Sequence, residues 1–121
     1  MKVLIVDDSE SMRNIERSIL IEMNIQTFEA KDGEEALDLL QVMSGFDLIV
    51  LDINMPNMNG LQTLRRLKTN KEFKNIPVIM CTNCNTKEHV STALKLGAKN
   101  YIIKPFDTIS FTRKIEQVLE Q

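Results

Sequence analysis

Three carboxylates sit at the ends of two apolar runs. Asp7 and Asp8 follow Val3-Leu4-Ile5-Val6, and Asp52 follows Leu48-Ile49-Val50-Leu51. Uninterrupted aliphatic runs of this length read as strands buried on both faces, the kind that build parallel sheets. If the two strands are parallel neighbours, the three acids meet at one sheet edge, and the carboxyl ends of strands are where open α/β sheets place their sites. Clustered carboxylates repel one another, so they either take up protons or hold a hard divalent cation that prefers oxygen ligands. Mg2+ is the economical choice. Two later runs bring complementary groups: Thr82 follows Val78-Ile79-Met80-Cys81, and Lys104 follows Tyr101-Ile102-Ile103. A hydroxyl and an ammonium beside three acids suit a site for a metal and a phosphate.

The elements that must position these groups alternate along the chain with no repeat, linker or low-complexity tract. Ser9 reads as an N-cap, and Met12, Ile15, Ile19 and Met23 mark the apolar face of a first helix that Asn24 can end. A short strand over 26–30 precedes Asp32, a second cap, and a helix whose Ala36, Leu37, Leu40 and Met43 face inward until Gly45 closes it. The loop 54–60 is rich in turn residues before Leu61, Leu64 and Leu67 resume helical spacing. Pro77 opens the fourth strand. Asn85 with Glu88 three residues later reads as a capping box for a helix carrying Val90, Ala93, Leu94 and Leu96 and ended by Gly97. After the strand at Tyr101, Asp107 or Thr108 can cap a last helix with Ile109, Phe111, Ile115, Val118 and Leu119. Five strands alternating with five helices imply an α/β fold with a parallel sheet covered on both faces.

Composition sets bounds. A chain of 121 residues fits one ordinary domain. Its longest apolar runs are strand-sized and flanked by charge, so neither a signal peptide nor a membrane span is expected, and a cytoplasmic location follows. The net charge of −2 disfavours a globally basic nucleic-acid binder. The charge is uneven, however: residues 1–63 carry 4 basic and 12 acidic side chains, and residues 64–121 carry 11 basic and 5 acidic. Many of these charges serve only to solvate helix faces, yet the basic C-terminal half could dock an acidic surface.

The whole chain resembles a receiver domain of the two-component response-regulator family, in particular its single-domain, CheY-like members. The resemblance is carried by the Asp7-Asp8 pair, Asp52 in LIVLDINMPNMNG, Thr82 after a hydrophobic strand, and the ending GAKNYIIKPF with Lys104-Pro105. Each piece alone is common. All of them in order, each at a strand end and spanning residues 3–106, make a specific match, and they imply one receiver domain over residues 1–121 with the flavodoxin-like, doubly wound strand order 2-1-3-4-5. A chain this short has no room for a conventional output domain beside the receiver.

The resemblance also implies roles. Asp52 accepts a phosphoryl group from a phosphohistidine on a histidine kinase. Asp8 and Asp52 ligate Mg2+, the Asn54 carbonyl supplies a third protein ligand, and Asp7 orients metal-bound water. Lys104 pairs with Asp52 and then with a phosphoryl oxygen, next to a cis Lys104-Pro105 bond. Thr82 donates to the new phosphoryl group, coupled to an inward turn of Tyr101. Such a domain is a monomer that catalyses only its own phosphorylation and dephosphorylation. Its output is binding to a target such as a flagellar motor switch component, in a chemotaxis-type response, or relay to a histidine phosphotransfer protein.

Some residues depart from the pattern or invite other assignments. The position after Thr82 is usually small but here is Asn83, expected to crowd the pocket or hydrogen-bond within it, and Cys84 stands where some relatives carry an acid. Cys81 and Cys84 spell CxxC, but a zinc site needs more soft ligands than these and a lone His89 supply. His89 is expected on the exposed face of the fourth helix. Most of the seven methionines fall at core positions, with Met55 and Met58 flanking the site loop. A metal-dependent phosphohydrolase would use similar groups, but its Asp-x-Asp nucleophile pattern is not supplied by Asp7-Asp8-Ser9.

Overall fold

Every apolar run read as a strand pairs in parallel with its neighbours. The computed structural model describes residues 1–120, which contain β1 (Lys2–Val6), α1 (Glu10–Glu22), β2 (Gln26–Ala30), α2 (Gly33–Val42), β3 (Leu48–Leu51), α3 (Gly60–Thr69), β4 (Val78–Thr82), α4 (Lys87–Lys95), β5 (Asn100–Ile103) and α5 (Thr108–Leu119). The sheet order is β2-β1-β3-β4-β5, the expected 2-1-3-4-5. Among the described residues no helix is long and apolar enough to cross a membrane.

Successive side chains of a strand point to opposite faces, and the two faces are covered by different helices. Leu4, Val6, Ile49, Leu51 and Met80 join Ala36, Leu40, Leu64, Leu67 and Ala93 from α2, α3 and α4. Val3, Ile5, Val50, Ile79 and Cys81 join Leu20 of α1 and Phe111 and Ile115 of α5. Because both faces are buried, the strands read as unbroken apolar runs. The register then decides the site: Val6 lies opposite Leu51, and Thr82 opposite Ile103. The residues just beyond those pairs are Asp7, Asp52 and Lys104.

Helix starts follow local chemistry. Ser9, Asp32 and Asp107 each accept from a backbone N–H three residues on, as expected of N-caps. Asn59 and Gln62 form a reciprocal capping box at α3. For α4 the expectation needs correction: the cap is Thr86, whose hydroxyl accepts from the His89 amide, not Asn85 paired with Glu88.

Three residues assigned to inward faces point out instead. Ile15 is 48% exposed, Leu94 47% and Ile109 70%. In α5 the stripe Phe111, Ile115, Val118 holds the core face, and Ile109 lies two residues, about 200° of helix rotation, from Phe111. In α4 the inward residue is Ala93, and its neighbour Leu94 is turned about 100° away. In α1 the buried positions are Glu16 and Leu20, so the face runs one residue later than the apolar spacing suggested, and a charged residue goes in where Ile15 was expected.

Candidate functional site

The carboxyl edge of the sheet gathers one carboxylate oxygen each from Asp7, Asp8 and Asp52, all within 4.8 Å of one another. Asp7 and Asp52 are buried and Asp8 is exposed, so the cluster is walled below and open above. Asp7 is held at every polar atom: its N–H donates to Ala30 O at 3.1 Å, its O accepts from Arg13 at 2.7 Å, Oδ1 accepts from the Ser9 N–H at 2.9 Å, and Oδ2 accepts from Lys104 Nζ at 2.5 Å. Arg13 is itself fixed through Nε to Glu29 Oε1 at 3.0 Å, which ties α1 to β2.

Asp52 is fixed in a similar way. Its Oδ1 accepts from the Ile53 N–H at 2.7 Å, and its Oδ2 faces Lys104 Nζ at 3.3 Å. Behind it, Gly60 packs so closely that a Cβ there would come within 2.0 Å of the Asp52 carbonyl oxygen. Only glycine lets the loop 53–59 fold back tightly enough, with the Gly60 N–H donating to Ile53 O at 2.8 Å. Asn57 takes a left-handed φ of 68° in the same loop, a conformation asparagine tolerates well.

The charge balance is three carboxylates against one ammonium. Burial raises the Asp52 carboxyl above its ordinary value, opposed by the Lys104 charge and the Thr82 hydroxyl. Burial alone would lower Lys104, but its hydrogen bond to Asp7 and the charges of Asp52 and Asp7 win, and the ammonium is held above its usual range. Lys104 was expected to pair with Asp52, and its shorter bond is to Asp7. The peptide bond from Lys104 to Pro105 is cis.

On the other side of the site, the wholly buried Thr82 accepts from the Cys84 N–H at 3.3 Å. The Tyr101 ring is buried, and its hydroxyl donates to Cys84 O at 2.6 Å. Tyr101 is therefore in the inward position. Asn83 does hydrogen-bond across the mouth of the pocket, as one of its two expectations had it: Asn54 Nδ2 donates to Asn83 Oδ1 at 3.1 Å and to Cys84 Sγ at 3.3 Å. The two cysteines occupy different surroundings. Cys81 is buried, and burial pushes its thiol well up, which leaves it unreactive. His89 is half-buried, its Nδ1 2.7 Å from the Thr86 hydroxyl.

One residue at this edge escaped the sequence. Glu16 of α1 is 1% exposed, and its Oε2 is buried without a hydrogen-bond partner. Burial first, and the charge of Asp7 second, push its carboxyl up to about 8. The available signal was the helix phase: counted back from Leu20, position 16 lies one turn away on the inner stripe.

The donor set suits a small hard cation. Oxygen ligands from carboxylates, few in number and open on one side for water, are what Mg2+ takes. The response regulator receiver domain profile matches residues 3–116. The chain is 41% identical over 120 residues to the chemotaxis protein CheY homolog of Campylobacter jejuni, covering 98% of this chain and 92% of that protein. It is also 41% identical to chemotaxis protein CheY1 of Helicobacter pylori, over 98% and 97% of the two chains. Among solved structures, chemotaxis response regulator CheY4 of Vibrio cholerae superposes with a TM-score of 0.89 at 32% identity, over 97% of each chain. Since sequence and fold both match from the first strand into the last helix, this chain belongs to the response regulator receiver domain family, as a CheY-like receiver of a two-component system.

Proposed function

We propose that residues 1–121 act as one cytoplasmic receiver domain that takes a phosphoryl group onto Asp52 from the phosphohistidine of a histidine kinase and signals by phosphorylation-dependent protein binding, with a chemotaxis-type output. The observation that carries this reading is the Lys104 ammonium lying between Asp7 Oδ2 and Asp52 Oδ2, with Asp8 completing the cluster. Mg2+ held by Asp8, Asp52 and the Asn54 carbonyl, with Asp7 orienting its water, would neutralise phosphoryl charge.

In the transfer, an Asp52 carboxylate oxygen attacks phosphorus in line, an O–P bond forms, and the N–P bond breaks to leave the kinase histidine. The Ile53 N–H fixes the Asp52 rotamer. Lys104 follows charge from the carboxylate to a phosphoryl oxygen on a flexible stem. Thr82 donates its hydroxyl to another phosphoryl oxygen, which gives up the bond it accepts from Cys84 and draws the loop 83–86 inward. Tyr101 is tied to the same loop through Cys84 O. The domain turns over no other substrate, and water later hydrolyses the acyl phosphate.

The output surface is α4, β5 and α5, where exposed Leu94, Ile103 and Ile109 lie among basic residues. Residues 86–114 carry six basic side chains against two acids, and Lys104 belongs to the site. An acidic, partly apolar partner segment fits, such as one on a flagellar motor switch component. Ile15, exposed on α1, supports a second reading in which a histidine phosphotransfer protein docks on that helix and takes the phosphoryl group onward. Mapping the bound target by chemical shifts separates the two: perturbation centred on α4 and α5 supports motor-type output, and perturbation centred on α1 supports relay.

A further inference from the structure

We propose that Glu16 is a positioning residue that receives the Lys104 ammonium when Mg2+ occupies the acidic cluster. The starting point is an atom without a partner. Native proteins satisfy nearly all buried polar atoms, and an exception calls for a reason. Glu16 Oε2 is such an exception. Packing does not supply the reason, because a buried carboxyl costs stability that an aliphatic side chain would not.

Lys104 supplies the reason. Its ammonium has three N–H donors, and its ion pairs go to Asp7 and Asp52. Both of those acceptors belong to the acidic cluster. A dication bound there competes for the same oxygens and repels the ammonium at short range. Lys104 then needs an acceptor outside the cluster that its flexible stem can reach. Among the described residues the buried side-chain oxygen left free is Glu16 Oε2, and Glu16 stands on the buried stripe of α1 one turn past Arg13, which bonds the carbonyl oxygen of the same Asp7 that holds Lys104. The ammonium favours the ionised carboxylate, opposite to burial and to Asp7, so its arrival makes the ion pair it needs. Glu16 thus holds Lys104 near the pocket, ready to move to a phosphoryl oxygen.

The inference rests on the Mg2+ reading of the cluster, and one experiment distinguishes the two. Mg2+ dissociation constants are measured by amide chemical-shift titration at one pH and ionic strength for the wild type, Glu16→Leu, Lys104→Met and the double variant. Glu16→Leu should fold well, since it removes a buried unpaired acid, and Glu16→Gln repeats the test with the shape kept. Glu16→Leu is expected to weaken Mg2+ binding roughly three- to tenfold when Lys104 is present, and to leave it nearly unchanged in the Lys104→Met background. An equal factor in both backgrounds would make Glu16 a distant charge acting directly on the metal and overturn the proposal, as would no effect in either. A wild type that binds no Mg2+ removes the reading of the cluster and this proposal together.

Discussion

The Tyr101 hydroxyl donates a 2.6 Å hydrogen bond to the Cys84 carbonyl, and the Cys84 N–H donates to the Thr82 hydroxyl at 3.3 Å. Cys84 is thus the joint between the side chain that would meet a phosphoryl group and the buried aromatic of β5. Burial pushes the Tyr101 hydroxyl up to about 12, so it remains a donor at any physiological pH.

Thr82→Ala is expected to accept phosphate and lose most of the gain in target affinity, because the hydroxyl that biases the loop is gone. Tyr101→Phe should show a milder loss, roughly fivefold, for a hydrogen bond worth about 1 kcal/mol. Phosphorylation and target affinity measured on the same preparations check both. An undiminished affinity gain in Thr82→Ala removes Thr82 from the switch.

Asn83 and Asn54 close the mouth of the pocket with a side-chain bridge at 3.1 Å. Asn83→Ala should open it and raise the rate of phosphorylation by a small phosphodonor by a few-fold, the effect of losing one exposed hydrogen bond and some bulk. Stopped-flow or rapid-quench labelling reads this directly. A rate that falls would mean that the amide assists transfer.

Glu16 predicts a pH dependence of stability. Its folded-state pKa is raised from 4.5 to about 8, so above pH 4.5 the unfolded chain loses this proton first. Stability from this group is fully present below pH 4.5, declines as pH rises, and is lost beyond about 8. Glu16→Leu should therefore stabilise the metal-free protein more at pH 8 than at pH 5, by on the order of 1–3 kcal/mol at the higher pH. Urea melts at the two pH values test it, and an equal gain at both contradicts the assignment.

Lys95 and Lys99 flank the proposed output surface. Reversing either charge should slow association with the target, with an effect that shrinks as salt rises, and leave labelling of Asp52 intact. Association rates across a salt series provide the check, and a salt-independent loss would point to packing instead of steering.

The site was legible in the sequence because a parallel sheet converts chain position into spatial position. Asp7, Asp52, Thr82 and Lys104 each stand at or just past the end of an apolar run, and pairing those runs in register brings them together. Helix faces were less legible where apolar residues lie one step from the true stripe. Ile15 beside Glu16, and Leu94 beside Ala93, offer similar hydrophobic spacing, and only packing against the sheet selects the phase. The α4 cap moved by one residue for a related reason, since Asn85 and Thr86 can both accept from a helix N-terminus. Contacts such as Arg13 with the Asp7 carbonyl leave no periodic trace in the sequence at all.

The most direct test of the central claim is to treat the protein with a small phosphodonor and Mg2+ and locate the label by peptide mass spectrometry. The wild type should take up a single acid-labile, hydroxylamine-sensitive phosphoryl group on Asp52, and Asp52→Asn should take up none in stoichiometric amount, because the amide is neither nucleophilic nor a comparable metal ligand. Removing Mg2+ with a chelator should suppress labelling of the wild type. Full labelling of Asp52→Asn, or a label on another residue of the untouched chain, would contradict the account.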